Sequence, residues 1–420
     1  MNRYMENHVA KELEAMLKKA QPLFSTKSCC IYKVPHQIRR SNEDAYTPGL
    51  VSIGPLHHGN SRLVTMESHK QVYCQHFIQR SEASLSDLVS CVQQLEPHIR
   101  ACYSEKINLT VDKLVKVIFI DCCFVIELIL GDEWIRNDAI FSKPWMWVRV
   151  KSDLLLLENQ VPFFVFEMLY NLAFASRLNN GAKFPPFLRL AVGMFSKVEK
   201  QGVLTLEASS IAHFTDLLRY LYLTPFHTTT PRKRGQLVLG HGASELFKAG
   251  VKFQVNKSNN GCILDLEFEH GVLKIPHILV HDMTEVRLRN IVALEQCHYP
   301  RHHYLTDYVN FLAQLVNSNK DVDVLINAGI IESTIIGNDT SVNKIFSDVG
   351  KNILMENYNA NYLQICHGLN AYYKHPWHTK MATLRRDYFT TPGKTVTFIA
   401  GIALLLLILL IQTVCSILQV

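Results

Sequence analysis

The sequence predicts a mostly helical α+β globular region, with a small antiparallel β-sheet and one C-terminal transmembrane helix. Three observations predict it. Residues 395–420 carry no charge and contain the run FIAGIALLLLILLIQTV. At ~1.5 Å of rise per residue, a helix of that length exceeds the ~30 Å hydrocarbon core of a bilayer. Upstream, apolar residues recur at helical spacing over most of the chain. Between Val251 and Val280 the period changes to two, with β-branched residues between turn signals.

The first helix spans 3–20, with Met5, Val9, Leu13, Met16, Leu17 and Ala20 on one stripe and Pro22 after the stop. Docking of that stripe on the chain's own core is expected ahead of a partner-binding or membrane-surface role. Residues 28–60 hold Pro35, Pro48, Gly49, Gly54, Pro55 and Gly59, which exclude a long helix and imply an extended, turn-rich segment packed on the core. Leu63, Met66, Tyr73 and Phe77 mark one amphipathic helix, and Leu85 to Cys102 a second, with a bend at Pro97. Residues 114–130 are apolar almost all round, the pattern of a central buried helix. Lys116, Asp121 and Glu127 argue against a second membrane span, since a mid-bilayer charge costs ~2.5–3.5 kcal/mol.

Further helices are expected over 153–172 and 211–223. Residues 224–243 combine two prolines, three glycines and a threonine run, and read as a linker or surface loop. VKFQV, CILDLEFE and GVLKIPHILV, with turns at Asn259-Asn260-Gly261 and His270-Gly271, predict the small antiparallel sheet. Helices resume over 285–299, 304–317 and 321–328 and continue to the anchor, interrupted by Pro376 and Pro392. The expected organisation is an N-terminal amphipathic helix (1–22), a mainly helical part (23–223), the 224–243 linker, a part with the sheet and further helices (244–390), and the transmembrane helix (395–418).

Orientation follows from the flanks. Lys374, Lys380, Arg385, Arg386 and Lys394 precede the anchor, with Asp387 the only nearby acid, which favours a cytosolic globular region. Tyr388 and Phe389 fall where an aromatic belt is expected. The polar N-terminus has no apolar leader region, and Gly does not follow Met1, so neither secretion nor N-myristoylation is expected. A GPI-anchor signal would need such a leader, which leaves a tail-anchored protein with the bilayer as partner through 395–418. The net charge of +6, much of it near the anchor, suits anionic headgroups better than nucleic acid. Eleven cysteines without a C-x-x-C pair indicate reduced thiols, and sequons occur at Asn108, Asn256 and Asn338.

No catalytic, cofactor or metal site is assigned from the residues. Asp121 and Glu127 lie ~240° apart round a helix, so each is expected as a buried, hydrogen-bonded acid rather than half of a catalytic pair. Glu158-Asn159-Gln160 sits between two strongly apolar runs, where its side chains are expected to satisfy freed backbone groups at a break before Pro162. Cys297, His298, His302 and His303 match no zinc spacing, nor does His57-His58. Arg232-Lys233-Arg234 reads as a solvated loop. G-x-S-x-G, H-E-x-x-H, Walker A and kinase signatures are absent, and GHGASE at 240–245 lacks the last glycine of a dinucleotide fingerprint.

The strings IYKVPHQIR (31–39), YTPGLVSIGPLHHG (46–59), MESHKQVY (66–73), DLLLLENQVPFF (153–164), ELFKAGVKF (245–253), GVLKIP (271–276), TEVRLRNIVALEQCHY (284–299), TDYVNFLAQLVN (306–317) and RRDYF (385–389) span nearly the whole chain. Together they resemble a plant family, domain of unknown function 247, also called uncharacterised protein family 0481. Cys122 and His378 depart from it, where relatives usually carry glycine and asparagine. The resemblance implies a large globular region with a C-terminal transmembrane helix. Association of some relatives with self-incompatibility in grasses implies recognition between proteins. It implies no catalytic residues. The expected role is protein–protein recognition or scaffolding at a membrane surface. The alternatives are a membrane-associated hydrolase using Cys297, His298 or His57, and a cell-surface recognition component.

Overall fold

An apolar stripe makes the first helix, Asn2–Lys19, but does not bury it. Val9, Leu13, Met16 and Leu17 are each at least half exposed, so none of the described residues covers the face that was expected to dock on the core. Periodicity specifies which face is apolar; it does not specify what meets it. The computed structural model describes residues 2–19, 28–131, 138–179, 184–195, 210–223, 230–257, 262–335, 340–351, 353, 355–376, 380 and 392–418. Pro22, Asn259-Asn260-Gly261, Asn338, His378, Arg385, Arg386, Asp387, Tyr388 and Phe389 lie outside the described residues. The chain divides into two units: Met1–Tyr222 with Glu285–His303, and Leu223–Thr284 with Tyr304–Val420.

The first unit is organised round helix Val111–Leu130, whose apolar circumference is buried as its composition requires. Thr110 caps its start by accepting from the Lys113 amide, and Gly131 ends it in the left-handed region at φ 63°. Helices Val64–Arg80, Leu85–Ala101 and Phe163–Ala173 pack against it. Pro97 lies inside helix 85–101, which runs on to Ala101. Residues 28–60 form no long helix, only the short turn His36–Arg39 and a 3₁₀ turn at Glu43–Tyr46. Cys29, Tyr32, Val34, Ile38, Ala45 and Tyr46 of this segment share an apolar cluster with Leu157, Ala293 and Leu294. Helix Thr284–His298 thus packs through 285–298 with residues far earlier in the chain.

Of the helical stretch expected over 153–172 with its break at Pro162, only the part after the break, Phe163–Ala173, is a helix; the preceding helix, Pro144–Asp153, ends where that stretch was expected to begin. Residues 154–162 are non-helical although DLLLL is a strong helix-forming run. Side chains from elsewhere satisfy its backbone, and that tertiary hydrogen bonding outweighs the local propensity.

The second unit carries all the strands found among the described residues. They are β1 (Arg232–Arg234), β2 (Lys252–Val255), β3 (Glu267–Glu269), β4 (Val272–Ile275), β5 (Ile278–Val280), β6 (Ile331–Ser333) and β7 (Asn357–Asn359). β3 and β4 form the antiparallel hairpin expected at His270-Gly271, both of which have positive φ. β2 joins the same sheet parallel to β4, β5 pairs in parallel with β6, and β1 pairs antiparallel with β7. The strand signals over 251–280 therefore fall in two small sheets, and β1 with β7 makes a third. Arg232-Lys233-Arg234 is a strand, not the solvated loop expected: Arg232 pairs with Asp307 at 2.8 Å and donates to Asn357 Oδ1 at 2.6 Å. Lys233 and Arg234 do face solvent.

The last helix is Pro392–Leu418. Its apolar stretch Thr395–Val414 is long enough to cross a membrane and has no part buried against the described residues.

Candidate functional site

Asp153, Glu158, Asn159 and Asp121 hold the 34–54 segment in place through its backbone amides. Outside the turns at His36–Arg39 and Glu43–Tyr46, residues 34–54 form neither helix nor strand, so their backbone groups need partners. Asp153 accepts from the amides of Gly49, Leu50 and Val51 at 2.7–3.1 Å. Asn159 accepts from the Ile53 amide at 2.7 Å and donates to the Val51 and Asp153 carbonyls. Gln160 donates to the carbonyls of Leu154 and Leu156 and accepts from the Phe214 amide. Glu158 accepts from the Val34 amide at 2.8 Å and pairs with Arg39 at 2.7 Å, while His57 lies 3.5 Å from its other oxygen. Burial opposes ionisation of Glu158, but His57, the Val34 amide and Arg39 outweigh it and lower its pKa.

The two acids of the central helix have separate partners, as expected. Glu127 pairs with Arg80 at 3.1 Å. Asp121 accepts from the Gly54 amide and from Lys70, which also donates to the Ser52 carbonyl and pairs with Glu67. Lys70 and Asp121 are each 1 % exposed. Burial pushes the Lys70 ammonium down, yet the two carboxylates outweigh it and raise its pKa; burial lifts Asp121 to about 6 despite Lys70. Gly54 has φ 76°, and a Cβ there would stand 2.3 Å from the Gln160 carbonyl, so the segment closes on 159–160 only with glycine.

Lys70, Asp153 and Asn290 were not singled out in the sequence. Lys70 had a signal: it sits on the apolar stripe, four residues after Met66 and three before Tyr73. Asn290 accepts from the Leu157 amide and donates to the Ala45 and Val286 carbonyls, and nothing local marks it.

A second polar junction gathers Tyr32, His213, Asp216, Arg219, Glu295, His298 and Tyr299. The Tyr32 hydroxyl lies 3.0 Å from His298 Nδ1, and Tyr299 donates to Asp216 at 2.8 Å. Arg219 pairs with Glu295 at 2.9 Å and lies 4.0 Å over the Tyr299 ring. Cys297 is pushed up to about 12 by burial, so it holds its proton and is no thiolate nucleophile; burial also lowers His298. Among the described residues no hydrogen bond joins Cys297, His298 and His57. Nor do three His, Cys, Asp or Glu side chains there surround a common metal position.

His213 is fully buried between the Cys30 carbonyl, 3.1 Å from Nε2, and the Asp216 amide, 3.4 Å from Nδ1. A neutral ring that donates from Nε2 and accepts at Nδ1 satisfies both partners. Burial lowers its pKa to about 4. Because the unfolded chain takes up this proton near pH 6.5, stability is full above that value and falls as pH drops toward 4. Urea unfolding at pH 7 and pH 4.5 is expected to show a loss that His213→Gln shrinks, by up to about 1.4 kcal/mol per pH unit. Equal losses in the two proteins would contradict the neutral assignment.

In the second unit an open groove of about 640 Å³ runs between β3 and helix Ala360–Lys374. Asp265, Glu267 and Glu269 line it with Asn256, Asn361 and Gln364. Glu267 pairs with Lys274 at 2.8 Å.

The family described as a plant protein of unknown function, DUF247, matches residues 31–407. The chain is 30% identical to the UPF0481 protein At3g47200 of Arabidopsis thaliana, over 91% of this chain and 84% of that protein. It is 22% identical to the putative UPF0481 protein At3g02645 of the same plant, over 96% of this chain and 92% of that one. No solved structure matches.

Proposed function

We propose that this chain, which belongs to the plant DUF247 family of unknown function, is a single-pass membrane protein that presents its helical region for protein–protein recognition or scaffolding. The observation that carries the membrane half is the apolar stretch 395–414, which is long enough to cross a bilayer and is not buried against the described residues. A bilayer is the environment in which such a helix loses its contact with water. Recognition is supported by the way the buried polar groups of the first unit hold backbone in place. The acidic groove beside β3 suits a partner segment bearing lysine or arginine. The basic flank of the anchor supports a cytosolic globular region.

A glycosidase-shift assay with protease protection, on full-length protein in plant microsomes, tests the reading. Protease sensitivity without a glycan shift is the expected result. Full release by alkaline carbonate would remove the anchor. One observation favours a second reading, cell-surface recognition: Asn108 is exposed just before helix 111–130. Asn256 donates its amide to the Asp265 carbonyl and is a poorer acceptor for sugar. Protection together with a shift abolished by Asn108→Gln would establish the second reading and overturn the cytosolic one. A reproducible turnover by the purified globular region would overturn both.

A further inference from the structure

We infer that Cys30 and Cys102 are an oxidisable thiol pair that closes to a disulfide, fastening the start of the 28–60 segment to the end of helix 85–101. The backbone places them side by side. The amides of Cys30 and Ile31 both donate to the Cys102 carbonyl at 2.9 Å, and Ile31 bridges Tyr103 in parallel. Cys102 ends its helix in the αR region, and the direct bond from the Cys30 amide to its carbonyl holds the two Cα atoms close together. A disulfide needs Cα atoms about 4.4–6.8 Å apart, which this pairing supplies without backbone movement.

Beside one another, the Cys102 thiol raises the pKa of Cys30 and the Cys30 thiol lowers that of Cys102, which makes Cys102 the attacking sulfur. Both residues are buried, at 7 % and 3 % exposed, so the oxidant has to be a small one such as hydrogen peroxide. Cys102 attacks the peroxide O–O bond, giving a sulfenic acid and one water. The Cys30 sulfur then attacks the Cys102 sulfur and a second water leaves, so two thiols and one peroxide become one disulfide and two waters. Cys29 alternates to the other side of the extended backbone. Cys74 and Cys123 also shift one another's pKa, but they sit on two packed helices. Helix axes 8–10 Å apart hold their backbones further from disulfide geometry.

The test treats the full-length protein in detergent with a few equivalents of peroxide, quenches with N-ethylmaleimide, and maps non-reduced peptides by mass spectrometry. The expected result is loss of two alkylatable thiols, a linked peptide pair through Cys30 and Cys102, and a melting point raised by several degrees that dithiothreitol restores. In Cys30→Ser the linked pair disappears and dimedone labels Cys102. Recovery of both residues as free thiols, oxidation of Cys102 beyond sulfenic acid without a link, or faster linkage of Cys74 to Cys123 would each overturn the assignment. The wild-type mapping decides the matter even where a variant fails to fold.

Discussion

Lys70→Met is expected to destabilise the first unit by about 3–5 kcal/mol, enough to leave much of it unfolded at growth temperature. The substitution keeps most of the side-chain volume of a residue that is 1 % exposed, so packing is not the main loss. It removes the cation beside Asp121, whose carboxylate remains buried with the Gly54 amide still donating to it. It also strips the Ser52 carbonyl of its donor. An uncompensated buried charge is the costly part. Lys70→Met with Asp121→Asn should therefore recover part of the loss, since the asparagine oxygen still accepts from Gly54 without carrying charge. Urea unfolding followed by tryptophan fluorescence reads both. A loss below about 1 kcal/mol for Lys70→Met, or no recovery in the double variant, would show that the pair is not what holds the segment.

Asn159→Leu is expected to cost about 3–5 kcal/mol, although the two side chains are close in size. Asn159 is fully buried and serves three backbone groups at once: the Ile53 amide and the carbonyls of Val51 and Asp153. Leucine leaves all three without that partner, each at about 1–3 kcal/mol. Hydrogen exchange gives the local signature. The Ile53 amide should exchange much faster in the variant, while amides in the middle of helix 111–130 change only as far as global stability falls. Unchanged protection at Ile53 would mean that the segment finds its hydrogen bonds elsewhere.

These two sites differ in how far they could be read in advance. Glu158-Asn159-Gln160 was legible as a group that satisfies backbone, because three polar residues between DLLLL and VPFFVF must find partners. Which backbone was not legible: Asn159 reaches Ile53, 106 residues away, and the Leu157 amide reaches Asn290, 133 residues away. Lys70 was legible only as a misfit on an apolar stripe. Cys297 and His298 had suitable chemistry in sequence, but their burial and separate partners are tertiary facts.

The family, the mostly helical α+β class, the central apolar helix and the long apolar C-terminal helix could all be derived from the chain alone. The family is read from the resemblance of its motifs; the other three rest on local periodicity or on composition over one continuous stretch, and hydrophobic burial follows such patterns directly. Folding alone decided that DLLLLENQ leaves the helix, that Arg232–Arg234 is a strand, that β2 lies parallel to β4, and that Val9, Leu13, Met16 and Leu17 stay exposed among the described residues. Those outcomes depend on which hydrogen-bonding groups and apolar faces meet after the chain has closed on itself. A hydrogen bond is short and directional, so its partner is fixed by three-dimensional position, and no spacing along the sequence records it.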